Sequence, residues 1–450
     1  GMGTEQIGGE HYSGQWLDGE RHGHGEVEFA DGSRYVGDFQ HGLASGKGTW
    51  TSRGSMYQGS WRDGKRHGEG QFNGANGTVY QGQWQHGRRD GYGRQQFPGG
   101  GIYEGDWLED KPHGFGRFLF PTGAVYEGSW LAGARDGYGA WHSPANLAYE
   151  GTWRDDQRNG FGRESRPDGS FYAGQWQQDV RHGTGREVHA DGSVHEGAWE
   201  HNRILGDGMR TNPSGIRISG HWQDNTINRG ILTLPDGSEY QGALFNFEGR
   251  AAAATLVQWL TQKASEQNPQ AQVFLASLYL DFVEPKPDPS TALVWLRKGA
   301  EAGVPEAQYR LAMLLIEEDL AVAMAWLKRA AAARHPAANG VLGEYLHTGK
   351  YLAQDHDAAI ACYEIAAAGG SVNAINNWAW LLATSDDDAL ADPERAIELI
   401  QPFVLYLGSW QHMDTLAAAH ARLGDFGRAQ RLQNQALIQA RSLAPDNILD

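Results

Sequence analysis

The stretch Tyr12-Ser13-Gly14-Gln15-Trp16, continued by Gly19-Glu20-Arg21-His22-Gly23-His24-Gly25 and closed by Asp31-Gly32, decides the fold of the first half of this chain. Its core, Tyr-x-Gly-x-Trp, returns at Tyr35 (with Phe39 for Trp), Tyr57, Tyr80, Tyr103, Tyr126, Tyr149 and Tyr172. It goes on with His195 and Ile218 in the Tyr position and ends at Tyr240. The steps are 23 residues, with 22 at Tyr35–Tyr57 and Ile218–Tyr240. Eleven units at one spacing make a repeat array, in which each unit is one supersecondary element.

The chemistry of the unit sets its form. In Tyr35-Val36-Gly37-Asp38-Phe39, strand alternation puts Tyr35, Gly37 and Phe39 on one face. The glycine leaves a slot into which a neighbouring ring can pack. Asp31-Gly32 reads as a tight turn pairing residues 26–29 with 33–39. Each unit is then a hairpin, and the array is an antiparallel meander of about 22 strands, on the order of 100 Å long. A lone hairpin is marginal in water, so the units depend on stacking, and the two ends need protection from edge pairing.

Composition sharpens this division. The chain has 450 residues, with 62 Gly, 16 Pro, one Cys and a formal net charge of −17. Residues 1–249 hold 52 of the glycines and 250–450 only 10, which places a join near Gly249-Arg250. One cysteine excludes an internal disulfide framework and a multi-cysteine zinc site. An acidic chain without clustered Lys and Arg is a poor partner for nucleic acid. No apolar run is long enough for a membrane span.

The unit resembles the MORN (membrane occupation and recognition nexus) repeat over roughly residues 10–249, with departures concentrated in the last three units. Beyond Arg250 the pattern becomes helical and Ala-rich. Pro269-Gln270-Ala271, Pro305-Glu306-Ala307, Pro336-Ala337-Ala338 and Val372-Asn373-Ala374 each open a helix. The partner helices share the motif seen in Ala292–Ala300, Ala323–Ala331 and Ala359–Ala367. This is similar to the Sel-one-like repeat over 269–385, and 386–440 resembles an ordinary tetratricopeptide unit. The resemblance implies stacked helix pairs forming a solenoid with a concave groove.

The expected fold is therefore a two-domain repeat protein, a single-layer antiparallel β-meander of MORN-type hairpins followed by an all-α helical-repeat solenoid. Its divisions are 1–10 tag scar and leader, 11–249 hairpin repeats, 250–268 connecting helix (centred on 251–263), 269–385 Sel-one-like repeats, 386–440 tetratricopeptide-like helices and 441–450 tail. Gly1-Met2 looks like an expression scar. A signal peptide removed upstream would leave no trace, so the expectation is a soluble protein with cytoplasm and periplasm both open.

Catalytic candidates fail against their repeat equivalents. His22, His67, His113 and His182 share a position held elsewhere by Ser45, Asp90, Asp136, Asn159 or Leu205, which reads as turn capping rather than metal binding. Cys362 takes the slot of Trp295 and Trp326, a packing slot. The Gly-x-Gly pairs lack the helix and the Lys-Ser/Thr of a phosphate loop. No enzyme, catalytic residue, metal or cofactor is expected.

The rows Tyr57, Trp61, Tyr80, Trp84, Tyr103, Trp107, Tyr126, Trp130, Tyr149, Trp153, Tyr172 and Trp176 are the candidate binding face, because a one-layer sheet leaves ring faces to receive a ligand. The expected function is a non-enzymatic scaffold for protein partners in a larger bacterial assembly, with self-association through the aromatic face or ribbon ends. A glycan-binding module using the same rows is the alternative. A membrane-associated adaptor and an enzyme with a site near 245–265 rank lower; direct lipid binding is disfavoured by the scarcity of basic clusters.

Overall fold

The computed structural model describes residues 1–246, 251–281 and 288–443. The join at Gly249-Arg250 and most of the 441–450 tail lie outside the described residues. Residues 1–144 with 148–162 form one compact unit, and residues 145–147 with 163–450 a second.

Twenty-two strands, from Met2–Ile7 to Glu239–Ala243, make one antiparallel sheet. The described pairings all join strands consecutive in sequence. Each unit is a hairpin, as the Asp-Gly turns require. Between the strands Glu20–Glu28 and Arg34–Gln40, the N–H of Phe29 donates to the carbonyl of Ser33, and Gly32 donates back to Phe29. Asp31 accepts from the N–H of Ser33 at 2.9 Å, and Gly32 adopts φ 79°. The 22-residue step is absorbed in a turn. Arg53 and Gly54 take φ 46° and 80° as a two-residue loop between Ser52 and Ser55, so strand register is kept.

One difference concerns the first residues. Residues 2–7, expected as a leader, pair with Glu10–Leu17 as the first strand of the sheet. A second difference lies at the start of the expected connecting helix. Ala251–Ala252 pairs with Phe245–Asn246, and the helix runs Ala254–Ser265. In the second unit Tyr240 joins sheet to helix, its hydroxyl lying 2.6 Å from Oγ1 of Thr255.

The second half is a run of helices whose partners alternate. Ala271, Ala307, Ala338 and Ala374, the alanines that open the repeats, are all buried, and so are Ala292, Ala323 and Ala359 on the partner helices. Small side chains there allow close helix approach around Leu296, Leu311 and Leu327. Asp288, Asp319, Asp355 and Asp392 cap the partner helices by accepting from backbone N–H groups in the first turn. A further periodic tie went unread in the sequence. The side-chain amides of Gln272, Gln308 and Asn339 donate to the carbonyls of Ala264, Ala300 and Ala331 at 3.0, 3.2 and 3.0 Å. Each bond gives a buried amide N–H an acceptor at the end of the preceding helix. No described helix is long and apolar enough to cross a membrane.

Candidate binding faces of the sheet

The inner face shows what the Tyr-x-Gly-x-Trp unit does. Tyr103 lies over its own strand's Gly105 and over Gly116 of the next strand. A Cβ on Gly116 would stand 2.3 Å from the Tyr103 hydroxyl, and one on Gly105 would stand 2.4 Å from Cα of Gly116. The slot is therefore filled by the tyrosine two residues earlier on the same strand, not by a neighbour's ring. The Tyr103 hydroxyl donates to the carbonyl of Asp106 at 2.8 Å, and Tyr57, Tyr80, Tyr126, Tyr149 and Tyr172 repeat the bond three residues ahead.

The tryptophans lock one unit to the one before. Trp107 meets Tyr103 edge-on at 5.1 Å and Tyr80 of the preceding unit at 5.4 Å, while its Nε1 donates to the carbonyl of Gly93 at 3.1 Å. Trp84, Trp130 and Trp153 make the same set of contacts. Guanidinium groups then cover the rings. Arg66, Arg89, Arg135 and Arg181 sit over Trp84, Trp107, Trp153 and Trp199, 4.9, 4.4, 4.3 and 5.2 Å from the ring centres. Burial pushes the Tyr57, Tyr126 and Tyr172 hydroxyls up to about 12, and it lowers Arg66.

Of the twelve residues in the expected binding face, Tyr57, Tyr80, Trp84, Tyr103, Trp107, Tyr126, Trp130, Tyr149, Trp153, Tyr172 and Trp176 are buried, and Trp61 is half-buried. Ring edges and arginines occupy the faces that a ligand would need. Two clefts on this side are lined by residues near the start of the chain. One cleft of about 760 Å³ is lined by Arg21, Phe39, Trp61 and Arg66, and another of about 620 Å³ by Arg66, Trp84, Arg89 and Asp110.

The histidines occupy strands rather than turns. His22, His67 and His182 meet the turn residues His41, His86 and His201 ring to ring at 6.3, 5.9 and 6.1 Å. Asp90 and Asp136, at the equivalent position, do cap the following turn, accepting from the N–H groups of Glu109 and Asp155. Cys362 is half-buried, its thiol pushed up by burial, and Tyr363 beside it is the fully buried residue. Among the described residues, no group of three or more His, Cys, Asp or Glu side chains is placed to hold a metal ion.

The outer face carries residues that motif reading missed. The middle position of Gly-x-Gly is exposed Tyr92, Phe115, Tyr138 and Phe161 in four consecutive units, 54, 58, 58 and 64% accessible. Elsewhere in the array that position is His24, Lys47, Glu69, Thr184 or Asp207. Comparing the variable position across units would have found them.

The MORN repeat family matches eight segments, 12–34, 35–54, 57–79, 80–102, 103–125, 126–145, 149–171 and 172–194. The Sel1 repeat family matches 269–304, 305–335, 336–371 and 372–402. The matched MORN segments stop where His195 and Ile218 replace Tyr, while the sheet itself continues to Ala243. Among solved structures, a Sel1 repeat protein from Oxalobacter formigenes is 25% identical over 41% of this chain and 79% of its own, with a TM-score of 0.34. A protective antigen present in uropathogenic Escherichia coli strains is 19% identical over 42% of this chain and 50% of its own, TM-score 0.31. A Sel1 repeat protein from Klebsiella pneumoniae subsp. pneumoniae is 20% identical over 40% and 92%, TM-score 0.28. No curated protein matches the chain.

Proposed function

Because the chain carries MORN repeats followed by Sel1 repeats, we propose that it is a non-catalytic scaffold which holds protein partners on its two arrays within a larger bacterial assembly. The observation that carries this reading is where large apolar side chains are left open. Phe115 and Phe161 are 58 and 64% accessible on the sheet, and Phe426 and Ile438 are 70 and 71% accessible on the final helix Phe426–Leu443. Exposed apolar groups on both arrays favour contact with other proteins.

The glycan alternative relied on open tryptophan rings. Trp107 and Trp130, 3 and 8% accessible with both Nε1 groups bonded to carbonyls, leave no ring face for a sugar. Cross-linking the full chain in its native cell, then identifying what is captured, tests the scaffold. Protein partners lost on deleting either array support it; turnover of a substrate by the purified chain, or capture of no protein, overturns it. We also propose self-association through the first strand, Met2–Ile7, which pairs with Glu10–Leu17 at the start of the sheet. A constant monomer mass by light scattering at rising concentration would exclude it. The sequence divisions at 249, 268, 385 and 440 stand as proposed domain limits, to be checked by limited proteolysis.

A further inference from the structure

We propose that the outer face of units 92–161 is a docking stripe for an amphipathic α-helix with basic residues along one flank; this rests on the scaffold reading and names the class of partner. The stripe consists of Tyr92, Leu108, Phe115, Leu131, Tyr138 and Phe161, each between 47 and 64% accessible. None of these side chains is required by the repeat. The Gly-x-Gly position is His24, Lys47, Glu69, Thr184 or Asp207 in the other units, and the position of Leu108 and Leu131 is Gln40, Arg62, Gln85 or Arg154 (Leu17 alone agrees). The aromatic choice at the Gly-x-Gly position is confined to four neighbouring units, and Leu108 and Leu131 stand on the two middle ones.

Sheet geometry sets the spacing. Equivalent residues of successive units stand two strands apart, roughly 10 Å. A helix returns to the same face after seven residues, about 10.5 Å along its axis. Four rings in a row thus match a helix of about 20 residues with apolar side chains at heptad positions. The rings are also held in place. The Tyr92 hydroxyl donates to Glu104 at 3.0 Å and that of Tyr138 to Glu150 at 2.6 Å. The N–H groups of Tyr92 and Phe115 donate to Gln83 and Asp106 at 3.0 and 3.1 Å, fixing the backbone beneath them.

Charge gives the partner its polarity. Beside the rings runs a second row in which Arg94 stands opposite Glu104, and Arg117 opposite Glu104 and Glu127. The next position in that row is Ala140, opposite both Glu127 and Glu150. Two exposed carboxylates thus flank an alanine where the two preceding units put an arginine, and a Lys or Arg on the incoming helix complements them.

The test uses the full chain and a fluorescent peptide of about 20 residues with Leu at heptad positions and Lys on one flank. Fluorescence anisotropy should show binding that weakens at least about tenfold in a Phe115→Thr/Tyr138→Thr variant, as expected for central aromatic anchors. Glu127→Gln/Glu150→Gln should weaken it a few-fold and reduce its dependence on salt. Thr184 already occupies the ring position, so the first variant should keep its melting temperature. Equal binding by the Thr variant, or equal binding of a peptide whose leucines are scrambled out of register, overturns the proposal. So does binding of an oligosaccharide, or a change in mass on light scattering, that is lost in the Thr variant while the peptide does not bind. Partners still captured by cross-linking after such a failure would leave the scaffold reading standing.

Discussion

The two faces of the sheet use aromatic residues in opposite ways. On the inner face Tyr103, Trp107 and their equivalents recur in almost every unit and are buried or half-buried. On the outer face Tyr92, Phe115, Tyr138 and Phe161 occur in only four units and are exposed. Chemistry that every unit shares serves the fold; chemistry that breaks the period on an otherwise polar face is free to serve something else. Residue type alone does not separate the two cases, since tyrosine appears in both.

This contrast is easiest to break at its strong end. Tyr103→Ala empties the space over Gly105 and Gly116 and should cost about 3–5 kcal/mol. Urea unfolding followed by tryptophan fluorescence would show it. A loss below about 1 kcal/mol would mean that the inner face is not the core.

The next effect is on pH. His195 replaces the buried tyrosine of its unit, and neither ring nitrogen has a hydrogen-bond partner among the described residues. Burial, with Arg210 nearby, holds it down to about 4. As pH falls below the ordinary value of about 6.5, the unfolded chain takes up a proton that the folded chain refuses. Stability at this site is therefore full above about pH 6.5 and is lost progressively toward pH 4, by on the order of 3 kcal/mol. His195→Tyr should flatten that part of the profile in thermal melts across pH; an unchanged slope would remove the assignment.

Two smaller effects sharpen the comparison. Tyr103→Phe keeps the ring and loses only the bond to the Asp106 carbonyl, for about 1 kcal/mol. Phe115→Thr on the outer face should shift stability by no more than about 0.5 kcal/mol. Differential scanning calorimetry would rank the pair, and a larger loss for Phe115→Thr than for Tyr103→Phe would invert the roles given to the faces.

The hairpins, the glycine-bearing strands and the buried alanines of the helices were legible because each follows a period that elementary geometry demands. The covering of the rings was not. Nothing in the period marks Arg66, Arg89 and Arg135 as partners of rings, and only folding places their guanidinium groups over Trp84, Trp107 and Trp153. The first strand escaped notice because Met2–Ile7 lacks the motif, although its backbone pairs like the rest. The outer rings are not legible in the period, because they are informative where the sequence varies rather than where it repeats.

Trp84, Trp107, Trp130 and Trp153 each tie their unit to the one before by the same contacts, so these neighbouring hairpins join through interchangeable seams. A gene that gains or loses one whole hairpin among these units keeps the seam on either side intact. In the four units that carry outer rings, such a change would lengthen or shorten the exposed row by one ring, roughly 10 Å, and the array would act as a ruler adjusted by duplication.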